Sequence, residues 1–558
     1  MPRGLQEKVV SEPVQKVDFT CQFSGVYVQA KRIGSLFIAS LAALLVVGTS
    51  GAGHAAAWKP TLPNDPSALD YHGFTINETF LGAETYSHVM GLSHQNTAGM
   101  PNEYICDTSR SGDCSSSNSG LSAFVVLPPC SESNSSNCIE NVSLGSPGML
   151  SEAKLVGLAG GPTIAARSDE DLPDGSTPSL WQGSIGATPL NVAAIFVLKL
   201  GYSNGSFRPY AFDASLIPYS VTSGTYTEVT QSVRVLDNGR SAVGFHGDPN
   251  CVWQDKGRCG IREDFPKETL AKVSMRLTSK LGGWFRGRLG SPNIQVSKID
   301  AQSNRIEVTG EPAVVPQISV GVKKSDATAT IGDLFSKANQ PGYVGGFIGI
   351  RADYPNTPAF LSAFRDVAKD TAQGLLSNWS FTTLSGGSNP CLSDTSKVLG
   401  LVTTNASVYD GQAPEFSDSS LVYKVAGYHY LPGGSLNLGT YDLIMRKETA
   451  RCLYGFSSAP ISASVSVTSD SGTENVATTN FTEEGDWDHF SAYGFTFSNP
   501  KIQVKLAQKT EPSPSPSPSV ANTSPGQSKK VTITCVKGKT VKKITAVSPK
   551  CPAGYKKK

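Results

Sequence analysis

The sequence predicts a mainly β protein made of two or more β-sandwich-like domains, with one short helical region, a Pro/Ser linker and a small, basic, disulfide-stapled C-terminal hairpin. Three observations carry that prediction. Short apolar and β-branched runs recur between turn residues, which is how sandwich strands are punctuated. The composition, 55 Gly and 35 Pro with only 17% charged residues, suits a turn-rich extracellular β chain better than a helical enzyme. Ten of the eleven cysteines follow an export-like segment, and an even number in an exported chain argues for disulfides.

The export-like segment comes first. Lys31 and Arg32 precede the mostly apolar run 33–49, and a small-residue stretch ends in Ala55-Ala56-Ala57. Charge, apolar core and A-x-A in that order read as a signal, so 1–57 is expected to be a signal peptide with an extended n-region, cleaved after Ala57. An uncleaved membrane anchor at 33–49 is the alternative, although a span needs roughly 20 apolar residues. The residues before Lys31 are many for an n-region and include Glu7, Glu12 and Asp18, which leaves a translation start downstream of Met1 open. About 500 residues remain after cleavage, too many for one ordinary core.

Residues 58–322 are expected to be a β-rich N-terminal region of one or two subdomains. Runs such as 123–127 (AFVVL), 193–200 (AAIFVLKL), 270–277 and 294–299 lie between Ser/Asn/Gly clusters. Residues 323–378 change texture and are expected to be a mixed helical segment. Thr357-Pro358 reads as N-cap and first helical position, and Phe360, Leu361, Phe364, Val367, Ala368, Leu375 and Leu376 recur at three- and four-residue intervals. That predicts a helix to about Ser377, with a shorter one near 331–338. The β texture returns over 379–508, expected to be a sandwich-like domain with one wet sheet face. Residues 509–528 include PSPSPSPSVANTSP, an extended semi-rigid spacer. The 529–558 end reads as a basic hairpin too small for its own core, so a disulfide must supply what packing cannot.

Three cysteine pairs share the spacing C-x7-C: Cys106 with Cys114, Cys130 with Cys138, and Cys251 with Cys259. Proximity then pairs Cys391 with Cys452 and Cys535 with Cys551, though spacing alone does not fix connectivity. Zinc is the rival reading, but no C-x2-C occurs and the histidines are scattered.

Candidate chemistry is sparse. There is no H-E-x-x-H, no P-loop and no G-x-G-x-x-G after a strand, and no catalytic, cofactor-binding or metal-ligating residue is assigned. Gly201-Tyr202-Ser203-Asn204-Gly205 matches G-x-S-x-G, yet the nucleophile elbow needs a following helix, and 206–218 has Pro at both ends. A hairpin turn at Asn204-Gly205 is the simpler reading. Asp169, Glu170, Asp171 and Asp174 with Gly175 form a cluster suited to calcium, without EF-hand spacing. Glu483, Glu484, Asp486, Trp487, Asp488 and His489 combine groups a sugar-binding or acid/base site uses, but a polar turn with Trp487 covering a sheet edge is the favoured reading. Trp284-Phe285-Arg286-Gly287-Arg288 interleaves aromatic and basic residues that suit stacking on sugars or bases, with core aromatics as the plainer alternative. Eight N-x-S/T sequons are scattered through the chain, and in a Ser/Thr-rich sequence many arise by chance.

The net charge of +2 hides an asymmetry. Residues 33–528 hold 33 Lys+Arg against 43 Asp+Glu, a net charge of −10, while the end from Lys529 has ten Lys and no acid. A cationic end on an exported chain implies an anionic cell-wall polymer or membrane surface as partner. Nucleic acid is not expected, and carbohydrate is a candidate ligand.

Residues 532–558 (TITCVKGKTVKKITAVSPKCPAGYKKK) resemble the Lys-rich, two-Cys C-terminal module of uncharacterised exported proteins of actinobacteria. The segments 283–294 (GWFRGRLGSPNI), 450–456 (ARCLYGF) and 492–506 (AYGFTFSNPKIQVKL) look like parts of the same proteins. The resemblance covers about half the chain and implies compartment and lineage, with no activity to carry over. The expectation is therefore a secreted, surface-associated protein with a non-enzymatic binding or envelope-structural role. An extracellular hydrolase acting on a polysaccharide or other polymer is the alternative.

Overall fold

The computed structural model describes residues 70–77, 85–95, 101–106, 120–131, 136–226, 228–235, 241–248, 250–337, 347–384, 389–456, 461–468, 478–497, 501–508, 531–538, 540–546 and 548–558. The expected export segment 1–57, the linker 509–528 and Cys114 lie outside the described residues. The protein is mainly β, and its sandwich layering takes a specific form in which two sandwiches use one sheet between them. No helix among the described residues is long and apolar enough to cross a membrane.

The shared sheet runs, neighbour to neighbour, through Pro101–Cys106, His88–Gln95, Leu121–Val126, Thr188–Ser203, Ser206–Ser223, Gly374–Leu384, Gly283–Lys298, Val398–Thr404, Leu438–Arg446, Trp487–Thr496 and Thr478–Glu484. All pairings are antiparallel except Gly283–Lys298 with Val398–Thr404. On one face lies a sheet of Met149–Glu152, Cys138–Ser146, Leu270–Thr278, Ser303–Gln317 and the far half of Gly283–Lys298. Phe196, Phe212, Phe285, Trp379 and Phe381 pack between these layers with Val142, Val273 and Ile306. On the other face, Ser420–Ala426, Lys501–Gln508 and Ile461–Thr468 enclose Trp284, Tyr441, Leu443, Met445 and Phe490.

Side-chain alternation along a strand sends neighbours to opposite faces. Leu443 and Met445 therefore enter one core and Ile444 the other, and Val398–Thr404 is buried at every position. Each such aliphatic side chain contributes about 1.5–3 kcal/mol on burial, which is why these strands lack the alternation with polar residues expected of a wet sheet face.

Gly283–Lys298 belongs to both layers. Its first residues pair with Gly374–Leu384, and from Leu289 onward it pairs with Ser303–Gln317, through a register shift between Gly290 and Asn293. Ser291, at φ +46°, and Pro292 sit in that irregularity, where a residue without a ladder donor is tolerated.

A third core surrounds Tyr71–Asn77, paired with Ser319–Lys323 and Phe347–Arg351 and covered by helices Ala329–Lys337 and Thr357–Ala363. The helix expected to reach Ser377 is a correction. It ends at Ala363, turns follow, and residues 374–378 already belong to the strand Gly374–Leu384. Lys369 and Asp370 both take left-handed φ, +53° and +52°, and backbone bonds join Tyr430 to Asp370 and Ala372. Phe360, Leu361 and Phe364 are the helical face packed on Phe74, whereas Leu376 belongs to a strand beside Val315. Two kinds of periodicity had merged into one apparent stripe. A further helix, Lys447–Tyr454, lies where strand texture was expected; it buries Ala450 and Leu453 and ends at Gly455, φ +66°.

Disulfides join Cys130 to Cys138, Cys251 to Cys259, Cys391 to Cys452 and Cys535 to Cys551, and Cys106 is also disulfide-bonded. At the C-terminus the expected hairpin, Val531–Lys537 with Thr540–Ala546, gains a third strand, Lys556–Lys557.

Candidate functional site

The groups that converge come from distant parts of the chain. Strand register sets two rows across the face of the shared sheet opposite the Phe196 core. One row is Val197, Asp213, Thr382, Arg286; the other is Ile195, Ser215, Ser380, Arg288. Trp284, Arg286 and Arg288 share a face by alternation, while Phe285 and Leu289 point into the opposite core. The segment 351–353 and Tyr409 complete a recess of about 340 Å³ over this face, lined also by Lys199, Tyr210 and Thr383. Gly411 permits the close approach, since a Cβ there would stand 2.7 Å from the Asp353 carbonyl oxygen.

Within the recess, Lys199 Nζ lies 2.9 Å from Asp213 Oδ2, and Thr382 donates its hydroxyl to Asp213. Arg351 grips Asp353 with two bonds of 2.7 Å, and Arg286 also pairs with Asp353. Burial works against ionisation of Asp353, but the Arg351 and Arg286 guanidiniums hold its pKa below the usual carboxylate value. Arg288 donates to the Thr404 carbonyl at 2.7 Å. The Tyr409 ring centroid is 5.2 Å from the Arg286 guanidinium and 4.3 Å from that of Arg288, within cation–π range.

Among the described residues, Arg286, Arg288, Arg351, Lys199, Asp213 and Asp353 are the charged groups that line the recess. Arg286 is 8% exposed and Arg288 3%. Arg286 Nε and Nη1 are buried and have no hydrogen-bond partner among the described residues. Each such donor costs about 1–3 kcal/mol if left unmade, and arginine does not escape by losing its proton.

A second cavity, about 640 Å³, opens at one end of the first sandwich between Asp171, Asp300, Lys280 and Gln302, over a floor of Leu198, Leu200 and Phe207. It receives Asp171 from the acidic cluster at 169–174, and the four carboxylates do not converge. Glu170 is buried against Arg167, 3.3 Å away, and Asp174 accepts the Ala166 amide at 2.7 Å. Asp171 caps the turn with φ +56°. Among the described residues no three His, Cys, Asp or Glu side chains are grouped to hold a metal.

The 483–489 cluster is a turn between Thr478–Glu484 and Trp487–Thr496. His489 meets Asp442 at 3.0 Å, where Tyr493 also donates. Asp488 points the other way; burial, then the nearby Glu483 charge, raise its pKa to about 6 against the opposing pull of Lys447 and Arg451. Trp487 stacks under Arg446, 4.5 Å from its centroid. Ser203 pairs with Ser206 across Asn204 and Gly205, at φ +52° and +83°, and the strand Ser206–Ser223 follows it. Neither cavity contains Ser203, His489 or Asp488.

The Trp284–Arg288 patch divides between roles. Trp284 and Phe285 are fully buried core residues, while Arg286 and Arg288 line the recess. Lys199, Asp213, Arg351, Asp353 and Tyr409 carry no local sequence signal. The one available cue is that Arg286 and Arg288 occupy strand positions flanked by residues bound for two cores. Comparison of the chain with protein-family models, with curated proteins and with solved structures yields no match.

Proposed function

We propose that the protein is exported and held at an anionic cell-wall polymer or membrane surface by its C-terminal module, where it has a non-enzymatic binding or envelope-structural role. The observation that carries this reading is the folding of the basic end. Cys535–Cys551 and the pairing of Lys556–Lys557 with Val531–Lys537 gather Lys537, Lys542, Lys543, Lys550, Lys556, Lys557 and Lys558 as exposed cations on and beside one small sheet. Each lysine near an anionic membrane contributes about 1 kcal/mol within a Debye length, so a compact cluster holds reversibly. The disulfides support an oxidising compartment. The resemblance of 532–558 to exported actinobacterial proteins points the same way.

The test is salt extraction of the producing cells. The full chain should move from cell surface to medium as salt rises, and a variant with Lys542, Lys543, Lys556 and Lys557 changed to Gln should be in the medium already at low salt. Retention of either protein at the surface in concentrated salt would contradict the reading.

A further inference from the structure

We infer that residues 149–158 are a self-association edge, through which two copies of this chain join by antiparallel strand pairing about a two-fold axis at Ala153. The inference goes beyond the surface role, and failure of salt release would leave it standing. Met149–Glu152 is the outer strand of one layer of the first sandwich, paired on one side with Cys138–Ser146. After Ala153 the chain crosses to the other layer, where Lys154–Leu158 is again an outer strand, paired on one side with Ser179–Ile185. No strand among the described residues pairs with the opposite side of either. This stretch therefore carries the open edge of both layers, and an open edge offers unpaired amides and carbonyls to another strand.

The side chains along it are apolar and exposed. Met149 is 70% exposed, and Leu150, Leu155, Val156 and Leu158 are exposed as well. Single exposed apolar residues are ordinary, but five within one short edge form the kind of patch that marks an interaction surface. Ala153 gives its amide to the Val142 carbonyl at 2.8 Å and its methyl to the first core. Alternation then turns the side chains of Glu152 and Lys154 outward, and the backbone groups of Glu152 to the open side. Both side chains are exposed.

Charge selects the occupant. Glu152 and Lys154 are the only charged residues from 149 to 158. A lysine on an edge ordinarily keeps foreign strands away, and a second copy running antiparallel removes that obstacle. Two-fold symmetry makes one residue face its own copy, and with Ala153 in that position Glu152 of each copy stands opposite Lys154 of the other. Centring on Glu152 or on Lys154 would set like charges face to face, which destabilises a strand pair. The register centred on Ala153 also sets Leu150 of each copy opposite Val156 of the other. Glu152 exchanges only an exposed 3.4 Å contact from Asn141 Nδ2 for this pairing. The register against Ser179–Ile185 shifts between Leu155 and Gly157; such a bulge ends a regular ladder, so the pairing is short and the dimer reversible.

The experiment is sedimentation equilibrium of the full chain at low salt, over concentrations from about 1 μM to about 1 mM. The unaltered protein should pass from monomer to dimer as concentration rises. Glu152→Lys alone, or Lys154→Glu alone, sets like charges opposite each other at both symmetric positions, and each should weaken the dimer about tenfold. Because both side chains are exposed, the circular dichroism spectra should be unchanged. The decisive sample is an equimolar mixture of the two variants. One then presents two cations and the other two anions, so the mixture should associate within about threefold of the unaltered chain. A monomer at every concentration would overturn the inference, as would association that neither substitution weakens. Failure of the mixture to recover what each variant lost would overturn it too, by showing that the edge meets something other than its own copy.

Discussion

The acidic turn at 168–174 and the arginine recess are opposites in how they were made. The turn packs four carboxylates into adjacent positions and then disperses them: Glu170 inward to Arg167, Asp174 to the Ala166 amide, Asp171 to the rim of the end cavity. The recess draws Lys199, Asp213, Arg286, Arg288, Arg351 and Asp353 from separate strands and a turn into one hollow. In a β protein, neighbours in sequence alternate between faces, whereas register brings distant residues together. Charge density along the chain is therefore a poor guide to a site, and charge on a doubly buried strand is a better one.

The comparison breaks most readily at Asp353. Asp353→Asn would strip the carboxylate from two arginines, one of them buried, and should cost about 3–5 kcal/mol in urea unfolding, as removal of one partner from a buried pair does. Asp171→Asn, in the dispersed cluster at a left-handed turn position that Asn also adopts, should shift stability by less than about 0.5 kcal/mol. A loss at Asp353 no larger than that at Asp171 would erase the distinction.

The disulfides sharpen the same contrast between distant and local links. Cys391–Cys452 closes a separation of 61 residues and Cys130–Cys138 one of 8. By loop-closure entropy, serine replacement of the first pair should cost about 4 kcal/mol and of the second about 2.5. Denaturant midpoints of the two double variants check the order.

Asp488 gives a smaller, pH-dependent effect. Its folded pKa, about 6, exceeds the unfolded value, so the folded state holds the proton more tightly. The stability this contributes is complete below about pH 4 and is lost as pH rises through about 6. Asp488→Asn should flatten that slope and raise stability at pH 7 by about 1–2 kcal/mol; an unchanged slope would show that another group titrates there. Ser203→Ala should be smallest, within about 0.5 kcal/mol, because the residue flanks an Asn-Gly turn.

Much of the fold was legible because strands and turns are local. The runs at 123–127, 193–200 and 270–277 became strands, the turn residues Asn204 and Gly205 became a hairpin turn, and nearest-neighbour cysteines became disulfides. The helix past Ala363 was misread because Leu375 and Leu376 continue a helical spacing by coincidence while belonging to a strand. Helix Lys447–Tyr454 was missed because its two buried apolar residues, Ala450 and Leu453, give too short a stripe to register. Of the recess, only Arg286 and Arg288 could be singled out, and even there Trp284 and Phe285 suggested stacking groups that the two cores consume. Arg351, Asp353 and Tyr409 reach the site through pairings between strands far apart in the chain, which no local window contains.

The central claim is that strand register, and not charge density along the chain, assembles the buried charge network of the recess. A double-mutant cycle on Arg286 and Asp353, read by urea unfolding, tests it directly. The account predicts a coupling of about 1–3 kcal/mol, as two members of one salt-bridge network show. A coupling below about 0.5 kcal/mol would contradict it.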